Sequence, residues 1–208
     1  MSSIEFPIYN QENDCPVDYC AKIVDIAMKN SEVSCVFARE GSLQFEKILL
    51  DIQNKNALAD DYELLKDLLE TITKNTRCEY MKEATEIFLE ILVDYEDDFD
   101  KHLKRGICKN LVCSGMYNIY IDPATCGGCS KCKEVCPSIL GGDGMIHIIL
   151  DNDEINNQKQ KLIEVCPNNA IKKYGQKKPS TPNEPIPVGT FSGESDEGGG
   201  RRRKKRRG

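Results

Sequence analysis

The stretch CGGCSKCKEVCP, Cys126–Pro137, is the most informative part of this 208-residue sequence. Its four cysteines follow the spacing Cys-x2-Cys-x2-Cys-x3-Cys, and a proline comes directly after the last of them. Thiolates at this spacing are typical ligands of a 4Fe–4S cluster, because the short steps bring three sulfurs to three corners of one cube. Gly127 and Gly128 allow the backbone to approach the cluster closely. The stretch therefore predicts an iron–sulfur site.

A second cysteine–proline pair, Cys166–Pro167, follows in the segment IEVCPNNAI. In bacterial-type ferredoxins with two clusters, the fourth cysteine of each run ligates the other cluster. Counting back from Cys166 by the same spacing gives Leu162, Lys159 and Asn156, and none of these is a thiolate. The sequence therefore predicts one 4Fe–4S cluster, whose ligands are Cys126, Cys129, Cys132 and Cys166. A local set that uses Cys136 as the fourth ligand is the alternative.

The composition favours a metal-binding protein of the cell interior. Eleven cysteines occur without a secretory signal at the start, which favours metal ligands over disulfides. No apolar run approaches the ~20 residues of a membrane span. The net charge of −6 includes seven positive charges in RRRKKRR at residues 201–207, so the rest of the chain carries −13. A specific nucleic-acid reader usually has a basic face, and the acidic body argues against that class.

The hydrophobic pattern predicts two kinds of structure, and hence an α+β fold. From Val17 to His102 apolar residues recur at helical spacing, which predicts a small bundle of four antiparallel helices whose last helix is uninterrupted. From Met116 the pattern changes, and the segments YNIYI and MIHIIL predict short strands of a ferredoxin-like domain. After Lys173 the chain is rich in Pro, Gly, Ser and charge, which predicts disorder.

These patterns divide the chain into five segments. The predicted boundaries are an N-terminal arm at 1–13, the helical bundle at 14–104, a junction at 105–115, the ferredoxin-like 4Fe–4S domain at 116–175 and a disordered tail with a basic end at 176–208.

Two segments of the helical part carry a family resemblance. CVFAREGSLQFEKILLDI, which begins at Cys35, and CEYMKEATEIFLEILVDYEDDFDKH, which ends at His102, resemble the iron–sulfur part of NADH-binding flavoprotein subunits. That family occurs in complex I and in NAD(P)-dependent iron-only hydrogenases. The resemblance covers roughly residues 13–174 and implies a cluster-binding helical bundle that continues into a ferredoxin domain. The flavin and NADH-binding domain of the family is absent from this sequence, which has no GxGxxG motif.

The sequence departs from the family at the bundle's own cluster motif, E-S-C-G-x-C-x-x-C-R-E-G. Aligned on the Arg-Glu-Gly run, the three clustered ligand positions become Glu32, Cys35 and Ala38, and the distant fourth position is Cys78. Two thiolates do not hold a cube that prefers four. We therefore expect the bundle to keep the fold without the cluster, with Glu32 left open as a carboxylate ligand.

Three residues at the junction suit a tetrahedral zinc ion. His102, Cys108 and Cys113 lie within a dozen residues and are soft or borderline ligands. The family resemblance implies a structural zinc whose fourth ligand precedes the first helix; that ligand is Cys15, with Cys20 as the alternative. The competing interpretation is a histidine that ends a helix, favourable at its negative end, beside two free thiols. His147 is expected to be a packing residue.

Two functions of different classes follow from these patterns. The first is an electron-transfer subunit with one 4Fe–4S cluster and a structural zinc, docked in a larger complex that resembles a hydrogenase or NADH dehydrogenase. The second is a non-conducting structural or assembly adapter of such a complex. Neither is an enzyme by itself. The expected partners are flavoprotein, hydrogenase or dehydrogenase-like subunits, with an acidic partner surface for the basic tail. The expected location is cytoplasmic, with an organelle of an anaerobic eukaryote left open.

Overall fold

A computed structural model describes residues 5–31 and 36–192, apart from the side chain of Phe37. It divides the chain into two compact units, Met1–Asn118 and Ile119–Gly208, and each is described by itself below. The predicted junction at 105–115 belongs to the first unit. Within the described ranges, no helix is both long enough and apolar enough to cross a membrane.

The described part of the first unit is built from five α-helices. They are α1 (Pro16–Asn30), α2 (Val36–Gln53), α3 (Asp61–Asn75), α4 (Glu79–Asp94) and α5 (Glu96–Arg105). Helix α1 packs against α2 and α4, and α3 packs against α4 and α2. Pro16 occupies the first turn of α1, where its fixed φ and missing N–H cost nothing. Gly106 ends α5 in the left-handed conformation, a common helix stop.

The core of this unit lies where the apolar stripes of α1 to α4 meet. Phe45 on α2 and Phe88 on α4 are fully buried, and their ring centroids are 5.7 Å apart. Gly41 lets α2 approach α3 closely, because a β-carbon there would collide with the side chain of Ile72. The predicted helical bundle, and with it the helical half of the α+β class, is therefore present.

The last predicted helix is divided in two at Tyr95, whose φ of −118° and ψ of 30° are not helical. The sequence around Tyr95 contains no proline or glycine that would predict the end of a helix. The Tyr95 ring packs edge-on against Tyr9, with 4.8 Å between centroids, and Tyr9 packs in turn against Tyr19. This contact with a distant part of the chain accompanies the break, which gives α5 and its His102 a direction independent of α4.

The second unit combines short helices with a two-stranded sheet in its described part. Strand β1 (Asn118–Ile121) pairs with β2 (Ile171–Tyr174), and the helices are α6 (Lys131–Val135) and α7 (Lys159–Val165), with a 3₁₀ turn at Asn156–Gln158 before α7. The unit's core consists of aliphatic side chains, namely Ile119, Ile121, Ile139, Ile146, Ile148, Ile149, Ile155, Leu162, Ala170 and Ile171.

One predicted strand is confirmed and the other is wrong. YNIYI coincides with β1, but MIHIIL contains isolated bridges and no strand; these bridges join Ile148 to Leu140 and Met145 to Pro187. The partner of β1 is instead β2, with the sequence IKKY. Its two adjacent lysines interrupt the alternation of apolar and polar residues by which a strand is recognised in a sequence. Pairing depends here on which backbone edges the fold brings together, and local pattern does not report that.

The prediction of a disordered tail from residue 176 does not hold for residues 186–188. The N–H of Ile146 donates to the carbonyl of Ile186 at 2.7 Å, and the N–H of Val188 donates to the carbonyl of Gly144 at 3.0 Å. This pairing gives hydrogen-bond partners to backbone groups along Gly144–Ile146. The amino-acid composition of the tail cannot predict such a pairing. The rest of the predicted tail, residues 193–208 with the basic run, lies outside the described residues.

Candidate metal centres

Four buried side chains of the first unit form a compact group of metal-ligating atoms. Cys15, His102, Cys108 and Cys113 each offer one atom, and all four atoms lie within 4.8 Å of one another. The Sγ atom of Cys15 is 3.1 Å from Nε2 of His102 and 3.5 Å from Sγ of Cys113. Three sulfurs and one imidazole nitrogen at this spacing match the donor set of a tetrahedral zinc site.

The members of this group come from three different parts of the first unit. Cys15 is the residue before α1, His102 is in the last turn of α5, and the other two cysteines lie on the following loop. Nδ1 of His102 is 2.6 Å from the carbonyl oxygen of Asp98, one helical turn earlier. That bond fixes the ring and leaves Nε2 to face the sulfurs, the usual arrangement of a histidine ligand.

Asn110 links the N-terminal arm to this group, and sequence reasoning missed it. Its Nδ2 donates to the carbonyl of Asp14 at 2.6 Å and to that of Gln11 at 3.3 Å. The residue after Asp14 is Cys15, so the side chain of Asn110 holds the backbone beside that thiol. The only sequence feature that could have indicated this role is the position of Asn110 between the predicted ligands Cys108 and Cys113.

The electrostatics of the group reflect its crowding. Burial alone would lower the pKa of His102, but hydrogen bonds with Cys108 and Cys15 outweigh it and raise the pKa to about 10. Hydrogen bonds from Cys113 and Cys15 hold the pKa of the Cys108 thiol far below its usual range. The hydrogen bond with Cys108 raises the pKa of Cys113. The thiolate form of Cys108 is thus stabilised by its neighbours. A cation bound among these four side chains would favour the thiolate in the same direction.

Cys20, the alternative fourth ligand, is not a member of this group. It is fully buried in α1, and burial, followed by the nearby Cys15, raises the pKa of its thiol. The structure therefore brings together the first-choice residues and leaves Cys20 in the helical core.

In the second unit, four cysteines line one cavity. Cys126, Cys129, Cys132 and Cys166 line it together with Ile121, Ala170 and Ile171. Cys129 is exposed, whereas Cys126 and Cys132 are buried. Burial, with Cys126 and Cys129 nearby, raises the pKa of Cys132 to about 11. Cys136 does not line this cavity; its Sγ lies 3.0 Å from Oγ of Ser138.

The loop before α6 needs its glycines for close contacts. Gly128 has a φ of +64°, and a β-carbon on it would lie 2.8 Å from backbone atoms of Gly144. A β-carbon on Gly127 would collide with the side-chain amide of Asn168. That amide donates to the carbonyl of Thr125 at 3.4 Å, so Asn168 joins the segment after Cys166 to the loop that carries Cys126.

Hydrogen bonds inside the second unit fix two parts of the cavity wall. The backbone N–H of Ala170 donates to Sγ of Cys166 at 3.2 Å. Ser130, in the left-handed conformation with a φ of 58°, donates its hydroxyl to Asp143 at 2.7 Å and lies 3.2 Å from Nε2 of His147. His147, expected from the sequence to be a packing residue, is buried and lines the cavity.

The remaining predicted positions are not gathered into a site among the described residues. Glu32 and Cys35 lie outside those residues. Ala38 is buried on α2, and Sγ of Cys78 donates to the hydroxyl of Ser31 at 3.1 Å. In the second unit, Asn156 is in the 3₁₀ turn, and Lys159 and Leu162 are buried on α7.

A helical unit with a buried Cys3His group and a second unit with a cysteine-lined cavity define a metal-binding protein of the iron–sulfur class. Residues 18–102 match the family model of the NADH-ubiquinone oxidoreductase-F iron-sulfur binding region. The match contains His102 and the four positions Glu32, Cys35, Ala38 and Cys78, whereas the cysteine-lined cavity lies beyond it.

A relative of known role is the NADP-reducing hydrogenase subunit HndC of Solidesulfovibrio fructosivorans. The two sequences are 29% identical over 126 residues, which is 61% of this chain and 26% of HndC. The chain thus corresponds to about a quarter of the length of that relative.

Proposed function

We propose that this chain is an electron-transfer subunit that carries one 4Fe–4S cluster in its second unit. The observation that carries the proposal is the cavity lined by Cys126, Cys129, Cys132 and Cys166. Four cysteine sulfurs are the donor set that a 4Fe–4S cluster takes. We propose a ferredoxin-like fold for this unit.

Cys166 is the proposed fourth ligand, in preference to Cys136. Cys166 faces the same cavity as the three clustered cysteines, whereas Cys136 does not line it and contacts Ser138. This choice agrees with the ferredoxin rule that the cysteine before the distant proline completes the first cluster.

We propose that the chain lacks two further clusters that its relatives' patterns suggest. In the second unit, the aliphatic side chain of Leu162 is fully buried where a thiolate would be needed. In the helical unit, the methyl group of Ala38 is buried at a ligand position and offers no donor atom. Each set therefore has fewer than the four ligands that a cube prefers.

We also propose that Cys15, His102, Cys108 and Cys113 bind one structural Zn²⁺. All four side chains are buried and all four donors come from protein, which is typical of a closed structural site. Binding would then stabilise the folded helical unit, because the ligands are assembled only by folding. The ion would join the start of α1 to the end of α5.

A bound 4Fe–4S cluster accepts and returns one electron at a time. Around it, Cys126 and Cys132 keep water away through their burial, and the N–H of Ala170 donates to the sulfur of Cys166. A donated N–H favours the more negative, reduced state of such a site. Exposed Cys129 marks the side from which a partner protein would approach. Partner redox subunits supply and remove the electrons, and the chain has no proposed catalytic residue of its own.

The proposal is tested by anaerobic analysis of iron, sulfide and zinc, paired with electron paramagnetic resonance after dithionite reduction. About four irons and one cubane signal per chain are expected. An iron-free chain, or one with about eight irons, would contradict the cluster assignment. Reversible reduction and reoxidation in the presence of a redox partner subunit distinguishes a conducting subunit from an adapter, because an adapter has no need to cycle.

A further inference from the structure

Residues 186–190, which we call the strap, pair with the segment that supports the cysteine-lined cavity. Val188 donates its N–H to the carbonyl of Gly144 at 3.0 Å, and Ile186 accepts from the N–H of Ile146 at 2.7 Å. Met145 and Pro187 form the bridge between these two bonds. The strap thus pairs with residues 144–146 through an isolated antiparallel bridge.

The strap is closed by a turn of its own. The N–H and the hydroxyl of Thr190 both donate to the carbonyl of Pro187, at 3.2 and 2.7 Å. Gly189 has a φ of +84° at the third position of this turn, which places Val188 at the second position. A glycine with positive φ at that position is the signature of a type II turn, in which proline is favoured at the second position. The strap therefore has a defined local geometry.

Gly144 connects the strap to the loop that carries Cys126 and Cys129, which we call the ligand loop. Its carbonyl accepts from Val188, while its own N–H donates to the carbonyl of Gly128 at 3.0 Å. Gly128 is in close contact with Gly144 and precedes Cys129 directly. Two backbone hydrogen bonds therefore connect the strap to the loop that carries two of the four cysteines.

The same supporting segment holds the ligand loop at a second point. Asp143 accepts the hydroxyl hydrogen of Ser130, and His147 lies within hydrogen-bonding distance of the same oxygen. Ser130 has a left-handed backbone, which is unfavourable for a residue with a β-carbon and persists where its surroundings hold it. Anything that fixes residues 143–147 therefore also fixes the backbone between Cys129 and Cys132.

We propose that Val188 is a positioning residue of the cluster site, acting through Gly144 on Gly128. This inference rests on the proposed cluster in the second unit. With the Val188 bond in place, the backbone of Gly144 is held on both sides, and the Gly128 loop keeps the geometry that presents Cys126 and Cys129. Without that bond, Gly144 is held on one side, and the ligand loop opens more often.

The test compares Val188→Pro with Val188→Ala in the full chain. Proline removes the N–H that reaches Gly144 but suits the second position of the strap's turn, so it deletes the bond with little other strain. Alanine shortens the side chain, which is exposed, and keeps the N–H. The first readout is the rate at which a chelator removes the cluster absorbance under anaerobic conditions. The second is the electron paramagnetic resonance spectrum and midpoint potential of the reduced protein.

We expect the alanine variant to match the unsubstituted chain. The proline variant is expected to lose its cluster about fivefold faster, the factor that one ordinary backbone hydrogen bond supplies, and to show a changed spectrum and potential. Equal rates, spectra and potentials in both variants would overturn the inference. If circular dichroism shows that the proline variant has not folded, Thr190→Val, which removes one bond of the turn, takes its place with the same expectations.

Hydrogen exchange separates this inference from the proposed function. The amide of Gly144 is expected to exchange about fivefold faster in Val188→Pro than in Val188→Ala, with or without a cluster. An unsubstituted chain that binds no iron contradicts the proposed function, and faster exchange in the same experiment still supports the hydrogen-bond connection. Iron in every variant with unchanged exchange and unchanged cluster loss contradicts the inference alone.

Discussion

Nε2 of His102 lies 3.1 Å from Sγ of Cys15, although 87 positions separate the two residues in sequence. The contact joins the start of α1 to the end of α5, and both side chains are buried. Holding two distant residues together removes more conformational freedom from the unfolded chain than holding two near ones. An ion bound here as we propose would therefore give its largest stabilisation through Cys15, the proposed ligand most distant in sequence from the others.

Replacing Cys15 by serine is expected to abolish zinc binding by the helical unit, because a four-ligand site loses one sulfur donor. The matched change Cys20→Ser is expected to keep one zinc per chain, since Cys20 is buried outside the ligand group. Metal analysis after gel filtration measures both. The Cys15 variant, and the unsubstituted chain after chelation, are also expected to unfold at a lower temperature. Zinc loss in the Cys20 variant with retention in the Cys15 variant would reverse the assignment.

The cluster ligands are tested by Cys166→Ser against Cys136→Ser. The first change is expected to remove the 4Fe–4S signal or reduce it to a minor fraction, because Cys166 lines the cavity. The second is expected to leave the iron content at about four per chain, since a cluster of this type needs four ligands and Cys136 is not proposed as one of them. Iron and sulfide analysis with electron paramagnetic resonance measures both. Iron loss only in the Cys136 variant would favour the local ligand set.

Phe88→Ala is expected to lower the free energy of unfolding of the helical unit by about 3–5 kcal/mol, because it leaves a cavity beside Phe45 in a fully buried core. The control is Val93→Ala, also on α4, whose side chain is 61% exposed and whose truncation is expected to change stability by less than about 0.5 kcal/mol. Denaturant unfolding followed by helical circular dichroism gives both values. Similar losses in the two variants would show that burial on α4 is not as described.

Leu162→Ala is expected to destabilise the second unit by about 2–5 kcal/mol, because this fully buried side chain fills part of a small aliphatic core. Leu150→Ala is the control, since Leu150 is 64% exposed in the same unit. Hydrogen exchange of the β1 and β2 amides reports the stability of this unit separately from the helices. If Leu162 instead lay beside a bound second cluster, the alanine change would alter iron content as well, and that result would contradict the single-cluster proposal.

Several features were determined by the sequence alone. The spacing of Cys126, Cys129 and Cys132 predicts their shared site, because ligands within one turn meet whatever the rest of the chain does. The 3.6-residue periodicity predicts the helices, because each amphipathic segment must bury its own apolar stripe. The pairing of His102 with the cysteines at 108 and 113 is also local. Cys15 was predicted as the fourth ligand only from a family resemblance, because no residue near it in the sequence indicates which side chains it contacts.

Other features were decided by the tertiary structure. The helix break at Tyr95 accompanies a ring contact with Tyr9, and β2 is a strand because it meets β1. The strap is ordered around Val188 because the edge at Gly144 has backbone groups that need partners. These features depend on contacts between residues far apart in sequence. A local pattern carries no information about them, because the free energy that fixes each one is gained only when the two distant segments meet.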